Sequence, residues 1–210
     1  MAKPMTLVCR NSTTFSKTGE LDEGAFRQFL QRFVDNKLGI FMASGGSGEG
    51  HCLTNAERKR VYEIGVEVCK GKIPTYANIP EGKTALETIE QAQIAIAAGV
   101  EVVNLYGPMS SHGDQPTDLE LTAYYDDVLK VIKHPVAVSP NAVVGYVSKP
   151  ALSADIVNRH PQVTTMTFSG CRPSYYFQIK GLLTREVETF VPFELSTIEI
   201  VFPDTIDQGD

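Results

Sequence analysis

The stretch Ala43-Ser44-Gly45-Gly46-Ser47-Gly48-Glu49-Gly50-His51-Cys52-Leu53-Thr54 decides how this sequence is interpreted. An apolar run, residues 38–42, precedes it, and a helix-like run, residues 55–70, follows it. A strand, a glycine-rich turn and a helix in this order are typical of an α/β unit. Glycines let the backbone approach a ligand closely, and the N–H groups of such a turn can bind a carboxylate or a phosphate. A tight connection between strand and helix, without a ligand, is the alternative interpretation.

The composition narrows the class of protein. The chain has 210 residues and a formal net charge of −6, and its Lys and Arg residues form no cluster, which argues against nucleic-acid binding. No apolar run approaches the ~20 residues that a membrane helix needs. Residues 1–4 do not lead into the apolar segment of a signal peptide. We therefore expect a cytoplasmic protein with no membrane partner, whose cysteines at 9, 52, 69 and 171 are free thiols because they lack metal-binding or C-x-x-C spacing.

The apolar pattern predicts a regular alternation of strands and helices within one domain, residues 1–210. Predicted strands cover residues 5–9, 38–43, 73–79, 100–106, 136–139, 163–168 and 188–193, with an eighth at 198–202. Predicted helices cover residues 22–36, 55–70, 84–98, 118–133, 150–158 and 172–183. Capping boxes are predicted at Thr54–Glu57 and Thr84–Glu87, and residues 203–210 are predicted to be a loose polar tail.

Repeated β–α units of this size indicate a parallel sheet. Two architectures agree with the pattern: a (β/α)₈ TIM-barrel-like fold and an open, doubly wound sheet. A barrel usually takes about 250 residues and at least about 200, and this sequence ends before an eighth helix. The pattern favours the α/β barrel and leaves the open sheet as the alternative.

The residues around the glycine turn resemble the dihydrodipicolinate synthase and N-acetylneuraminate lyase family. That family has a Gly-x-x-Gly-Glu turn after its second strand, followed by Leu-Ser/Thr and Glu-Arg. The same order occurs here as Gly45–Glu49, Leu53-Thr54 and Glu57-Arg58. Further similarities extend over residues 5–170 and include Thr14-Phe15, Leu21-Asp22, Ala98-Gly99, Pro135-Val136 and His160-Pro161. The resemblance implies a (β/α)₈ barrel, here shortened at its C-terminal end relative to the family.

The resemblance also implies a chemistry. The family condenses or cleaves 2-oxo acids, usually pyruvate, through a Schiff base on a lysine at the end of strand six. A tyrosine at the end of strand five relays protons, and the two middle residues of the glycine turn hold the carboxylate. The turn residues correspond to Gly46 and Ser47, which are therefore the expected substrate-binding residues.

The catalytic positions depart from the family pattern. Alignment from His160-Pro161 puts Thr167 at the lysine position and Ser139 at the tyrosine position. The lysines nearest in sequence, Lys149 and Lys180, belong to predicted helices and are expected at the surface. Threonine cannot form an imine, so we expect no Schiff base with pyruvate, and we expect no cofactor.

Several functions remain open on this basis. The first is an enzyme that acts on a 2-oxo acid without an imine, using polar groups among Ser47, His51, Tyr106, His112, Asp114, Ser139, Asn141, Thr167 and Ser169. A version of it with a divalent metal on His51, His112 and Asp114 has no metal-binding motif in its favour, so the prediction is no metal. The alternative is a non-catalytic protein that binds a 2-oxo acid or another carboxylate, or a degenerate paralogue with a structural role. A homo-oligomer is also expected, because apolar residues late in the chain have little sequence left to cover them: Val191, Phe193, Ile198, Ile200 and Phe202.

Overall fold

In the described part of the chain, seven parallel strands lie side by side in the order in which they occur in the sequence. The computed structural model describes residues 7–168 and 171–190. Its strands are β1 (Val8–Arg10), β2 (Gly39–Met42), β3 (Thr75–Asn78), β4 (Val102–Tyr106), β5 (Val136–Ser139), β6 (Val163–Thr167) and β7 (Glu188–Phe190). Its helices are α1 (Glu23–Asp35), α2 (Asn55–Cys69), α3 (Ala85–Ala97), α4 (Asp118–Val131), α5 (Pro150–Arg159) and α6 (Pro173–Leu182). A doubly wound sheet reverses its strand order at a switch point, so the sequential order excludes that alternative.

The predicted elements are all present among the described residues, with shifts at their ends. The first strand begins at Val8 rather than at residue 5, and a 3₁₀ helix, Ala142–Val144, occurs where the sequence predicted only a loop. The predicted eighth strand, the last residues of the seventh, the polar tail and the apolar residues from Val191 to Phe202 lie outside the described residues.

Helix caps follow the sequence closely. The capping box at Thr54 is complete, since Thr54 Oγ1 accepts from Glu57 N and the Glu57 carboxylate accepts from Thr54 N. The box predicted at Thr84 is only half formed: Thr84 Oγ1 accepts from Glu87 N, but the Glu87 carboxylate accepts from Lys83 N. A complete box also begins α4, between Thr117 and Glu120.

The sheet is curled like part of a barrel. Four inter-strand steps of about 4.8 Å would separate β3 from β7 by about 19 Å in a flat sheet. Instead, the Tyr76 ring of β3 lies 5.3 Å from the Phe190 ring of β7, and the Tyr76 hydroxyl donates to Glu188 at 2.8 Å. These contacts cross the concave side, which therefore forms the interior of a barrel-like fold.

Strand register assigns the side chains to two faces, because alternate residues of a strand point in opposite directions. The concave inner face carries Arg10, Phe41, Tyr76, Asn78, Asn104, Tyr106, Ser139, Thr165, Thr167, Glu188 and Phe190. The convex outer face carries apolar side chains that pack against the helices, including Ile40, Met42, Val103, Leu105 and Met166. The polar residues of the sheet are thus concentrated on its inner face.

Cys9, Cys52 and Cys69 are free thiols, as predicted, and the Cys171 thiol donates to Pro140 O at 2.8 Å. Within the described ranges, no helix is both long and apolar enough to cross a bilayer.

Candidate functional site

The glycine loop follows β2, a strand that lies between β1 and β3 in the parallel sheet, as the sequence predicts. The chain leaves the strand through Ala43, whose φ of 52° lies in the left-handed region. It then turns back on itself, because the N–H groups of Gly48 and Gly50 both donate to Ser44 O, at 3.1 and 3.0 Å. The loop is therefore a closed turn with a fixed backbone.

Side chains from neighbouring segments fasten this loop from two sides. Thr13, which follows β1, donates from Oγ1 to Gly48 O at 2.6 Å. Arg58 of α2, only 3% exposed, donates from Nη2 to Gly50 O at 2.7 Å and to Leu53 O at 2.9 Å. Burial lowers the pKa of Arg58, but a guanidinium stays protonated at any physiological pH. Sequence reasoning missed both roles, although Arg58 lies within the Glu-Arg pair that carries the family resemblance.

The tip of the loop offers hydrogen-bond donors to solvent. Gly46 and Ser47 are exposed, and their N–H groups have no acceptor among the described residues. Ser44 Oγ accepts from Gly48 N at 3.2 Å and lies 3.0 Å from Ser47 Oγ. If the Ser44 hydroxyl donates the hydrogen bond to Ser47 Oγ, the Ser47 hydroxyl can donate its own proton to a ligand. Two N–H groups and one hydroxyl can bind a carboxylate.

The glycines of the loop have different reasons to be glycine. A Cβ on Gly50 would lie 1.9 Å from Ala43 O, and a Cβ on Gly48 would lie 2.7 Å from Ser44 N. A Cβ on Gly46 would have no atom within 4 Å, and the φ of Gly46 is outside the left-handed region. The protein's own packing therefore requires Gly48 and Gly50 but leaves the absence of a side chain at Gly46 unexplained.

Ser139 and Thr167 lie next to each other on the inner face. Val138 pairs with Met166 across β5 and β6, which places the two residues side by side at the ends of their strands. Ser139 Oγ donates to Thr167 O at 3.1 Å. Thr167 is 7% exposed, and its hydroxyl has no hydrogen-bond partner within residues 7–168 and 171–190. The two residues that the resemblance assigns to the tyrosine and lysine positions are thus in contact.

A small cavity borders Ser139. Its volume is about 10 Å³, and it is lined by Gly107, Leu121, Tyr125, Ser139, Pro140, Asn141, Val144, Tyr146 and Ser148. Neither Thr167 nor the glycine loop lines this cavity. Asn141 also accepts from Val143 N at 3.0 Å and thereby caps the 3₁₀ helix, which gives it a structural role.

An amide and phenol network occupies the inner face beside β5. Asn78 Oδ1 accepts from Asn104 Nδ2 at 3.0 Å and from the Tyr106 hydroxyl at 2.8 Å. Burial raises the pKa of Tyr106 to about 12, so its phenol is a neutral donor. Asn78 and Asn104 each interrupt the apolar sequence of a predicted strand. This interruption was the sequence signal that could have identified them as candidate site residues.

The remaining candidates are not assembled into a site. His51 Nδ1 lies 2.7 Å from Gly45 O, whereas His112 and Asp114 lie in an exposed turn of the loop after β4. Across the described residues, no group of three His, Cys, Asp or Glu side chains could hold a metal, and His51, His112 and Asp114 form no such group. Ser169 lies outside the described residues.

Lysine is absent from the seven strands that the described residues form. Lys149 and Lys180 are both exposed, which confirms their predicted surface position. Lys149 Nζ forms an ion pair with Asp118 Oδ2 at 2.7 Å, and Lys180 Nζ lies 6.0 Å from the centre of the Tyr176 ring.

Comparison with protein families gives one clear match. Residues 3–139 match the model of the Dihydrodipicolinate synthetase family, which is more than half of the chain. The matched segment includes the glycine loop and ends at Ser139, so it does not reach Thr167.

The chain is also similar in sequence to curated proteins. The chain is 32% identical over 120 residues to a 4-hydroxy-tetrahydrodipicolinate synthase from Nitratiruptor sp., covering 57% of this chain and 40% of that protein. It is 38% identical over 96 residues to a protein from Methylobacterium radiotolerans named Probable 5-dehydro-4-deoxyglucarate dehydratase, covering 46% of this chain and 31% of that protein. The chain therefore matches less than half of the length of these relatives.

Solved structures share the fold. A dihydrodipicolinate synthase from Aquifex aeolicus has a TM-score of 0.80 at 18% identity, covering 89% of this chain and 62% of that chain. YagE from Escherichia coli K12, solved in complex with pyruvate, has a TM-score of 0.76 at 20% identity, covering 87% of this chain and 60% of that chain. At such low identity these similarities establish the barrel-type fold alone.

Proposed function

The chain belongs to the dihydrodipicolinate synthetase family, and we propose on that basis that it binds a 2-oxo acid of the pyruvate type and acts on it as a lyase without forming a Schiff base. Its relatives are named as a synthase and a dehydratase, which supports an aldolase-like or dehydratase-like reaction. YagE was solved with pyruvate, which supports the ligand class.

The proposed carboxylate site is the tip of the glycine loop. The N–H groups of Gly46 and Ser47 have no acceptor among the described residues, and the Ser47 hydroxyl lies beside them. Hydrogen bonds to a charged carboxylate are roughly twice as strong as those between neutral groups. The fastening by Thr13 and Arg58 means that little backbone freedom would be lost on binding.

The observation that carries the proposal is the pairing of Thr167 with Ser139 on the inner face, in strands that contain no lysine. With hydroxyl groups alone at these two positions, no imine can withdraw electrons from the carbon next to the carbonyl. Activation of the 2-oxo acid would then depend on hydrogen bonds to the oxygen on which negative charge develops.

A non-catalytic binding protein is the second candidate. It is favoured by the Thr167 hydroxyl, which is buried and, in the described part of the chain, has no partner, rather than being presented to a ligand. Both candidates require the same carboxylate site and differ only in whether the bound 2-oxo acid is converted.

A calorimetric titration of the protein with pyruvate tests the carboxylate site. Ser47→Pro removes one N–H donor and restricts φ, so it should abolish binding. Ser47→Ala keeps the N–H and should retain weaker binding, which makes it the matched control. If the Pro variant binds pyruvate as the wild type does, the carboxylate is not held at Gly46 and Ser47. Product formation in the wild type, measured on the same samples, separates the enzyme from the binding protein.

A further inference from the structure

The His51 side chain touches the backbone of the proposed carboxylate site. Its Nδ1 lies 2.7 Å from the carbonyl oxygen of Gly45. A carbonyl oxygen can only accept a hydrogen bond, so Nδ1 must carry the proton and donate it. This fixes one ring nitrogen of His51 as a donor to the loop in every protonation state that keeps the contact.

The acceptor belongs to the same peptide group as the N–H of Gly46. In a planar trans peptide, the C=O and N–H bonds point in opposite directions, and resonance couples the oxygen to the nitrogen. A donor on the oxygen withdraws electron density from the nitrogen and makes the N–H a better donor, which is the basis of cooperative hydrogen-bond chains. The effect of His51 would therefore reach the side of the peptide that faces a ligand.

We propose that His51 is a positioning residue that strengthens the Gly46 N–H as a donor to the ligand's carboxylate. This inference rests on the proposed function, since it concerns the same carboxylate site. His51 lies on the carbonyl side of the Gly45–Gly46 peptide and the carboxylate on the N–H side. His51 thus acts through the peptide group and does not touch the substrate.

A purely structural role for His51 is less consistent with the contacts. The loop is already fastened at Gly48 by Thr13 and at Gly50 by Arg58, and neither bond involves His51. The His51 side chain is exposed and belongs to no group of metal ligands among the described residues. Its hydrogen bond to Gly45 O is therefore directed at the peptide that precedes the exposed Gly46, rather than at the packing of the loop.

Amide spectra of the wild type and of two His51 variants test this role. His51→Leu removes the donor, whereas His51→Asn places an amide nitrogen near the position of Nδ1 and can keep it. In ¹H–¹⁵N correlation spectra without ligand, the Gly46 amide should move upfield in the Leu variant and return towards its wild-type position in the Asn variant. The amide of Gly48, which donates to Ser44 O and is not adjacent to position 51, should not move and serves as the internal control.

Pyruvate affinity supplies the second readout. His51→Leu should bind pyruvate up to roughly fourfold more weakly, because polarisation changes the strength of one charge-assisted hydrogen bond by about 10–30%, and His51→Asn should recover most of that loss. Joint movement of the Gly46 and Gly48 amides would show that His51 merely holds the loop, and would overturn the inference. Equal affinity of all three proteins would also overturn it, while leaving the carboxylate site intact. If the wild type does not bind pyruvate, the proposed function fails, and the role of His51 fails with it.

Discussion

Replacing Gly50 by alanine is expected to destabilise the protein strongly, whereas the same change at Gly46 is expected to leave its stability unchanged. A Cβ at position 50 would lie 1.9 Å from Ala43 O and 2.7 Å from Ala43 C. Relief of this overlap requires the two backbone segments to separate by about 1 Å, since contacts below about 3 Å are strongly repulsive. The bonds from Thr13 to Gly48 O and from Arg58 to Gly50 O oppose that movement.

The expected size of the effect follows from overpacking. Overpacking of this kind lowers the free energy of unfolding by about 3 kcal/mol. In a domain of this size, each kcal/mol shifts the Tm by roughly 2–4 °C, so Gly50→Ala should lower the Tm by about 6–12 °C. Position 46 has no atom within 4 Å of the added carbon, so Gly46→Ala should change stability by less than about 0.5 kcal/mol.

Thermal unfolding followed by far-ultraviolet circular dichroism measures both effects, and a pyruvate titration of each folded variant completes the comparison. Gly46→Ala should bind pyruvate about tenfold more weakly, because its methyl group narrows the approach to the loop backbone. A wild-type Tm for Gly50→Ala would refute the described loop geometry. A Tm loss of several degrees for Gly46→Ala would show that the fold, and not a ligand, requires glycine at that position.

Two further outcomes are expected. Thr167→Val removes a buried hydroxyl for which the described residues supply no partner. Urea unfolding should therefore give an unchanged free energy of unfolding or one raised by about 1 kcal/mol, and a loss of that size would show that the hydroxyl is paired. Self-association is expected from the apolar residues that the sequence places after β7, and light scattering that gives a single chain per particle at micromolar concentration would contradict it.

The fold could be predicted from the sequence because its signals are local and repeated. Thr54, Gly71 and Gly99 mark helix ends, and the two glycines adopt φ values of 78° and 90° there. The order of the strands followed from the family resemblance, since apolar periodicity alone did not separate a barrel from an open sheet. The 3₁₀ helix at Ala142–Val144 was missed because a single short turn leaves no periodic pattern.

The candidate site was predicted only in part, because its contacts join residues that are distant in the chain. The sequence indicated Gly46 and Ser47 as donors and placed Ser139 and Thr167 at the ends of strands five and six. It could not show that Thr13 fastens Gly48, or that Ser139 donates to Thr167 O. It also grouped His51 with His112, whereas the short bond to Gly45 O gives His51 a partner within its own loop.

The most direct test of the account is to incubate the protein with pyruvate, reduce the mixture with borohydride and measure the intact mass. Imine formation needs an amine within about 3–3.5 Å of the keto carbon, and β6 presents Thr167 instead. We predict an unmodified mass, together with reversible pyruvate binding in a parallel titration. A stable adduct of one reduced pyruvate per chain, mapped to any lysine, would contradict the central claim and identify the protein as a Schiff-base lyase.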